Sequence, residues 1–297
     1  MRPALIPALL AVCWGLNWPI VKIILGSVPP FTMRWFGLGL GGLLLLGFAL
    51  ARRRPVWGTD QRRQWPRLLM AGLLNVAAFN LCTAFAQLST STSRASVLTY
   101  TMPMISALMA WVLLGERPDR RRGAALALGS AGIALLAWPV LQRLAAGDLD
   151  APALRGLAMP LLAATAWAAG TVHAKRWPLA GDRIANTGWQ LLVGALCGAV
   201  GAALTGERWP ASLPWPVVAA LAYHIVVATA FAYVVWFVLL ARFSATVASL
   251  TTLAVPVVGV MGAMALVGDR PAALDWLGFA GVLGGAALVA LRLEGRH

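Results

Sequence analysis

Along most of this chain, apolar runs of about twenty residues alternate with short segments that hold nearly all of the charge. A run of that length matches the hydrocarbon core of a bilayer. Such continuous apolar stretches are read as membrane-spanning helices. Ten spans are expected, over residues 4–25, 31–51, 67–87, 95–114, 123–141, 154–174, 184–204, 215–240, 247–267 and 272–291. The composition agrees: 60% of the 297 residues are hydrophobic and 11% charged, whereas a soluble domain carries about 25% charged residues. The fold class is therefore an all-α integral membrane protein with no sizeable water-soluble domain. Its longest connection, residues 52–66, is the polar loop "RRRPVWGTDQRRQWP". The first apolar run resembles a signal peptide, but nine similar runs follow it, and it is read as the first span.

The net charge of +14 would suggest nucleic acid in a soluble protein. Here the arginines cluster between spans, where they report orientation. With the N-terminus inside, the inner segments hold 17 of the Lys and Arg residues and the outer segments five, leaving only Lys22 and Arg34 within spans. Both termini are accordingly expected in the cytoplasm, and no nucleic-acid partner is expected.

One segment is written twice. "ASVLTYTMPMISALMAWVLLGERP" (95–118) returns as "ASLTTLAVPVVGVMGAMALVGDRP" (248–271), shifted by 153 residues with nine of 24 positions identical. At the same shift Trp14 meets Trp167, and Lys22 meets Lys175, the only other lysine. A constant shift through several spans argues for duplication, with a first half over 1–150 and a second over 151–297. Each half has five spans, an odd number, so the second enters the membrane from the opposite side. Two inverted five-helix repeats follow, with the working site expected between them near the bilayer midplane.

Ten spans in two fives, each with a proline-bearing fourth helix ending in "LLGERP" or "LVGDRP", resemble the EamA-type transporters of the drug/metabolite transporter superfamily. The resemblance covers essentially the whole chain; Asp269 replaces the glutamate in the second copy. It implies a secondary transporter that exports small metabolites, amino acids including aromatic ones, across the bacterial inner membrane by alternating access. The implied partners are a small-molecule substrate and membrane lipids, with no ATPase subunit, in a monomer or homodimer.

Polar residues within a membrane are costly and point to function. In the first span Trp14, Trp18 and Lys22 stack on one helical face, with Asn17 beside them and Pro19 removing a backbone hydrogen bond. Trp167 holds the corresponding place in the sixth span. Lys175, followed at once by Arg176 and Trp177, is read as an interface residue. The third span offers Asn75 and Phe79 on one face, and Trp189 and Tyr223 are assigned to the cavity from the seventh and eighth. Tyr100 precedes Pro103 in the fourth span, and Pro256 repeats that proline in the ninth; Pro19, Pro103 and Pro256 are candidate hinges or gates. The expected site is a cavity of aromatic rings with one cation, Lys22, for a neutral or zwitterionic molecule.

Other chemistries lack their residues. Cys13, Cys82 and Cys197 have no disulfide or metal spacing, and His173 and His224 are read as packing or interface residues, so no metal or other cofactor is expected. Gly37, Gly39 and Gly42 spell a dinucleotide motif inside a span with no preceding strand. There is no phosphate-binding loop for ATP. All ten acids fall in loops or at span ends, so no buried carboxylate suggests proton coupling. The alternatives are a lipid or lipid-linked-sugar flippase of the same architecture, a passive channel, and an intramembrane enzyme, for which no catalytic cluster is evident.

Overall fold

A computed structural model describes residues 5–57, 59–115, 120–147, 150–242 and 245–290. Glu116, Arg117 and Pro118 of the first loop motif lie outside the described residues, as do Arg2, Arg292 and Arg296 of the orientation argument. The described chain is helical. Helices α1 (Leu5–Leu25), α2 (Pro30–Ala51), α5 (Arg120–Ala145), α6 (Ala151–Arg176), α7 (Arg183–Thr205), α9 (Ala245–Leu266) and α10 (Ala273–Ala290) are each continuous. Three others are composite. Helix α3 (59–89) and α8 (215–242) each contain a π-helical stretch, and α4 (92–114) is broken in its middle. Eight helices are long and apolar enough to cross a membrane, and two shorter apolar helices in α9 and α10 complete the ten. The chain is thus a multi-pass membrane protein.

Its surface fits lipid. Leu204, Trp215 and Val112 are 82%, 77% and 71% exposed, positions that would be a liability in water and are neutral against acyl chains. Without a hydrophobic drive between helices, close backbone approach matters more. Helices α2 and α7 cross where a Cβ on Gly42 would fall 2.9 Å from the Gly188 carbonyl. Helices α5 and α10 meet where a Cβ on Gly132 would fall 2.6 Å from the Val282 nitrogen.

The packing carries the internal repeat. Helix α2 lies along α7 and α5 along α10, each pairing a helix with its own counterpart in the other half. Exchanging the halves maps the α1–α9 contact onto α6–α4, α3–α6 onto α8–α1, and α3–α7 onto α8–α2; all are present. Even the irregularities repeat: shifted by the 153-residue offset, the π-helical stretch Gly72–Ala78 falls inside the second, Tyr223–Phe231. A π turn widens the helix and leaves carbonyls to find other donors. In α8 the Thr229 hydroxyl donates back to the His224 carbonyl at 2.8 Å, and Trp14 Nε1 reaches across from α1 to the Ala228 carbonyl at 3.1 Å.

The fourth helices differ between halves. In α4 the helix Thr92–Thr99 stops, Tyr100 and Thr101 form a turn, and Met102–Leu114 resumes with Pro103 in its first turn. Pro256 instead sits inside the unbroken α9, and Pro19 inside the unbroken α1. A proline removes one donor, and neighbouring helices can hold a membrane helix together around it. Pro19 is braced in this way: a Cβ on Gly262 of α9 would lie 3.2 Å from its Cγ. Backbone discontinuity thus accompanies only Pro103 among the three candidate hinges.

Candidate functional site

Where the halves meet, a cavity of about 560 Å³ runs between the helices. Helices α1, α3, α4, α6, α8 and α9 supply most of its wall, and α2 and α7 add Arg34, Leu38 and Leu191. Trp14 and Trp167, the repeat-related pair, both line it. Each ring is fixed by aromatic contact: Trp14 lies edge-on to Tyr233 with centroids 5.9 Å apart, and Trp167 packs at 4.9 Å on Phe79. Tyr100 enters at the break in α4, just before the helix resumes at Met102 and Pro103, and all three line the cavity.

The polar groups follow α1, α3 and α8. Asn17 Oδ1 lies 2.8 Å from His224 Nδ1, and His224 Nε2 is buried without a partner among the described residues, pressed toward Gly37, where a Cβ would approach it to 3.1 Å. A side chain at 37 would have to push the imidazole back. Asn80 Nδ2 donates to the Val76 carbonyl at 2.9 Å, closing part of the π stretch. Thr83 Oγ1 donates to the Asn80 carbonyl at 3.0 Å and accepts from Arg34 Nη2 at 3.3 Å. Along one end of the cavity the polar lining is buried: Arg34, Thr83 and Gln87. At the other end Thr171 and Lys175 of α6 are exposed.

Of the residues singled out in the sequence, Trp14, Asn17, Trp18, Phe79, Tyr100, Pro103 and Trp167 line this cavity together. Lys22, Asn75, Trp189, Tyr223, Pro19 and Pro256 are not among its lining residues. Lys22 lies one turn beyond Trp18, and its Nζ donates to the Gln87 carbonyl, serving the C-terminal turn of α3. Asn75 points at α6, where a Cβ on Gly170 would fall 1.5 Å from its Oδ1. Trp189 Nε1 donates to the Val56 carbonyl at 2.8 Å and closes a ring cluster with Trp57 and Trp65, anchoring the polar loop. The Tyr223 hydroxyl donates to the Cys13 carbonyl at 3.1 Å and ties α8 to α1.

Two cations in the wall replace the expected Lys22. Lys175 lines the exposed end despite its interface-like neighbours, and Arg34 lines the buried end. Arg34 carried a sequence signal, as the one arginine inside a span. Gln87, Ser106, Thr229, Tyr233 and His224 also line the cavity. Small hydroxyls and a tyrosine in an apolar run have no pattern that separates a cavity wall from helix packing.

No group of three or more His, Cys, Asp or Glu residues that could hold a metal occurs among the described residues. The arrangement can enclose a small molecule with an apolar body, oriented by a few fixed polar groups.

Comparison with known proteins places this architecture. A solved crystal structure superposes with a TM-score of 0.66 over 98% of this chain and 98% of its own, at 21% identity, which establishes a shared fold. YvbV of Bacillus subtilis, an uncharacterized transporter, is 27% identical over 88% of this chain and 82% of its own. A probable amino-acid metabolite efflux pump of Escherichia coli is 23% identical over 93% of this chain and 91% of its own. The model of the EamA-like transporter family matches twice, over residues 2–138 and again over 154–291. With both halves matched and the fold shared end to end, the chain belongs to the EamA-like transporter family.

Proposed function

We propose that this transporter exports small zwitterionic or neutral metabolites with an apolar body, amino acids above all, across the bacterial inner membrane by alternating access. The supporting observation is the cavity between the two repeats, ringed by Trp14, Trp18, Phe79, Tyr100 and Trp167, with a wall that presents more apolar than polar surface. Its volume of about 560 Å³ suits a small molecule. Aromatic faces serve an apolar side chain and also an ammonium group, which gains about 1–2 kcal/mol over a ring when water is excluded. The name of the Escherichia coli relative as a probable amino-acid metabolite efflux pump favours amino acids among such molecules.

The exposed end of the cavity is the arginine-rich end of the molecule. Lys175 stands there beside Arg176, and Arg54 pairs with Asp182 at 2.8 Å just beyond α6. With the positive side inward, both termini are cytoplasmic and the cavity is entered from the cytoplasm, as export requires. The protein acts as a carrier rather than an enzyme, without an ATPase subunit or nucleic acid, as a monomer or homodimer among lipids.

The test is counterflow in liposomes holding only this protein, preloaded with unlabelled phenylalanine, leucine or alanine and given labelled amino acid outside. Saturable accumulation that depends on the internal amino acid is expected. Equal accumulation in protein-free liposomes, or flux that never saturates, would remove the carrier from consideration for this panel.

A further inference from the structure

Arg34 is the buried cation of the cavity, 2% exposed and set one turn into α2. A guanidinium offers five N–H donors. Among the described residues this one makes a single hydrogen bond, from Nη2 to Thr83 Oγ1 at 3.3 Å, and its Nε is buried with no partner. Thr83 gives its own proton to the Asn80 carbonyl, so it orients the guanidinium and cannot neutralise it. The carboxylate at this end of α2, Glu207, accepts the Thr32 N–H at 2.8 Å, and no ion pair joins any acid to Arg34 among the described residues. A charge buried in a membrane without an opposite charge is costly and is retained where it is used.

We infer that Arg34 receives the carboxylate of the transported molecule, which makes the substrate class small monocarboxylates with an apolar body. This rests on the transport function proposed above and narrows it. A carboxylate matches the guanidinium fork and takes two N–H donors at once. Val21, Leu38 and Trp18 line the cavity with Arg34 and offer the apolar body a dry surface. Lys175 is the other cation of the wall, but it stands at the exposed end, where solvent weakens any ion pair. A consequence for the cycle follows. A bound carboxylate neutralises Arg34 and lets the cavity dehydrate, whereas an empty cavity must dehydrate a bare cation to change state. Exchange of one carboxylate for another therefore runs faster than net movement.

The experiment pairs probes that differ only in the acid group. Binding of 3-phenylpropionate and 3-phenylpropan-1-ol to the purified protein is followed by tryptophan fluorescence, and transport of phenylalanine and phenylalaninamide in liposomes, for the parent, Arg34→Lys, Arg34→Gln and Thr83→Val. The parent should prefer each carboxylate over its partner lacking one by about tenfold or more, the size of a buried hydrogen-bonded charge. Arg34→Gln should lose that preference because carboxylate binding falls more than alcohol binding, and a cooperative thermal unfolding transition shows that it is folded. Arg34→Lys keeps the charge without the fork and should fall between. Exchange should exceed net efflux in the parent, and the two should converge in Arg34→Gln. If Arg34→Gln does not fold, Thr83→Val decides, since it frees the guanidinium from its one anchor and should reduce the preference. A parent without carboxylate preference, or an Arg34→Gln or Thr83→Val variant that keeps it in full, overturns the inference. Binding preference for 3-phenylpropionate with no transport of any amino acid would leave the Arg34 site standing and sink the transport function.

Discussion

At the residue scale, glycine 170 decides how close α3 and α6 can come. A Cβ there would sit 1.5 Å from Asn75 Oδ1 and 2.4 Å from its Cγ. The buried Oδ1 has no hydrogen-bond partner among the described residues, so Asn75 is held there by shape rather than by a donor. Gly170→Ala should therefore strain the helix pair and cost about 1–3 kcal/mol, the usual range for overpacking. It should be read as a lowered midpoint of thermal unfolding in detergent. Adding Asn75→Ala removes the clashing amide and should recover most of the loss; a double variant no more stable than Gly170→Ala would show that the strain lies elsewhere. This pair also marks how far the site was legible. Trp14, Asn17, Trp18, Phe79, Tyr100 and Trp167 were found because rings and amides recur at helical spacing or near a proline. Asn75 follows the same spacing, yet it faces a glycine of α6 and not the cavity. A helical face says which residues point together, and only the neighbouring helix decides what they point at.

At the element scale, the start of α4 depends on the other half of the chain. Ser91 caps it locally by accepting the Arg94 N–H at 3.3 Å. Asp269, in the loop between α9 and α10, adds the stronger contact: its Oδ2 accepts the Ser93 N–H at 2.8 Å and the Ser93 hydroxyl at 2.9 Å. A carboxylate also favours the positive end of a helix. Arg94 then pairs with Asp275 in the first turn of α10 at 2.6 Å. Asp269→Ala should cost about 0.5–2 kcal/mol, as losing a cap does; Asp269→Asn keeps an oxygen acceptor and should cost less. Thermal unfolding of the two purified variants separates them, and equal loss from both would show that Asp269 acts through charge alone. The acid of the "LVGDRP" motif was legible as part of a repeat, but its structural use was not, because the partner lies 176 residues away in sequence. The ten spans themselves were legible because apolar length is a local property, although α3 begins at Thr59, inside the stretch read from the sequence as a polar loop. The π-helical stretches and the one-sided break in α4 were not: Pro103 and Pro256 stand at equivalent positions, and the surrounding packing settles which helix parts.

At the scale of the whole molecule, the charge pattern and the cavity point the same way. Arginines gather where α2 ends and α3 begins, and Lys175 and Arg176 close α6 at that same end. The opposite end carries Arg143 and Asp150, an exposed pair 3.3 Å apart. If the arginine-rich end is cytoplasmic, a cysteine at 175 should react with a membrane-impermeant maleimide in inside-out vesicles and stay unlabelled in intact spheroplasts. A cysteine at 143 should behave in the opposite way. Both variants start from a chain whose Cys13, Cys82 and Cys197 have been replaced by alanine. Those thiols are buried or half-buried, so replacing them alters little surface. A saturating amino acid substrate should slow labelling at 175, because that residue lines the cavity, and leave labelling at 143 unchanged, because that residue stands in the last turn of α5 at the far end. Labelling at 175 from the outside would reverse the topology and turn the exposed mouth of the cavity outward. An importer would then fit the same helices better than an exporter.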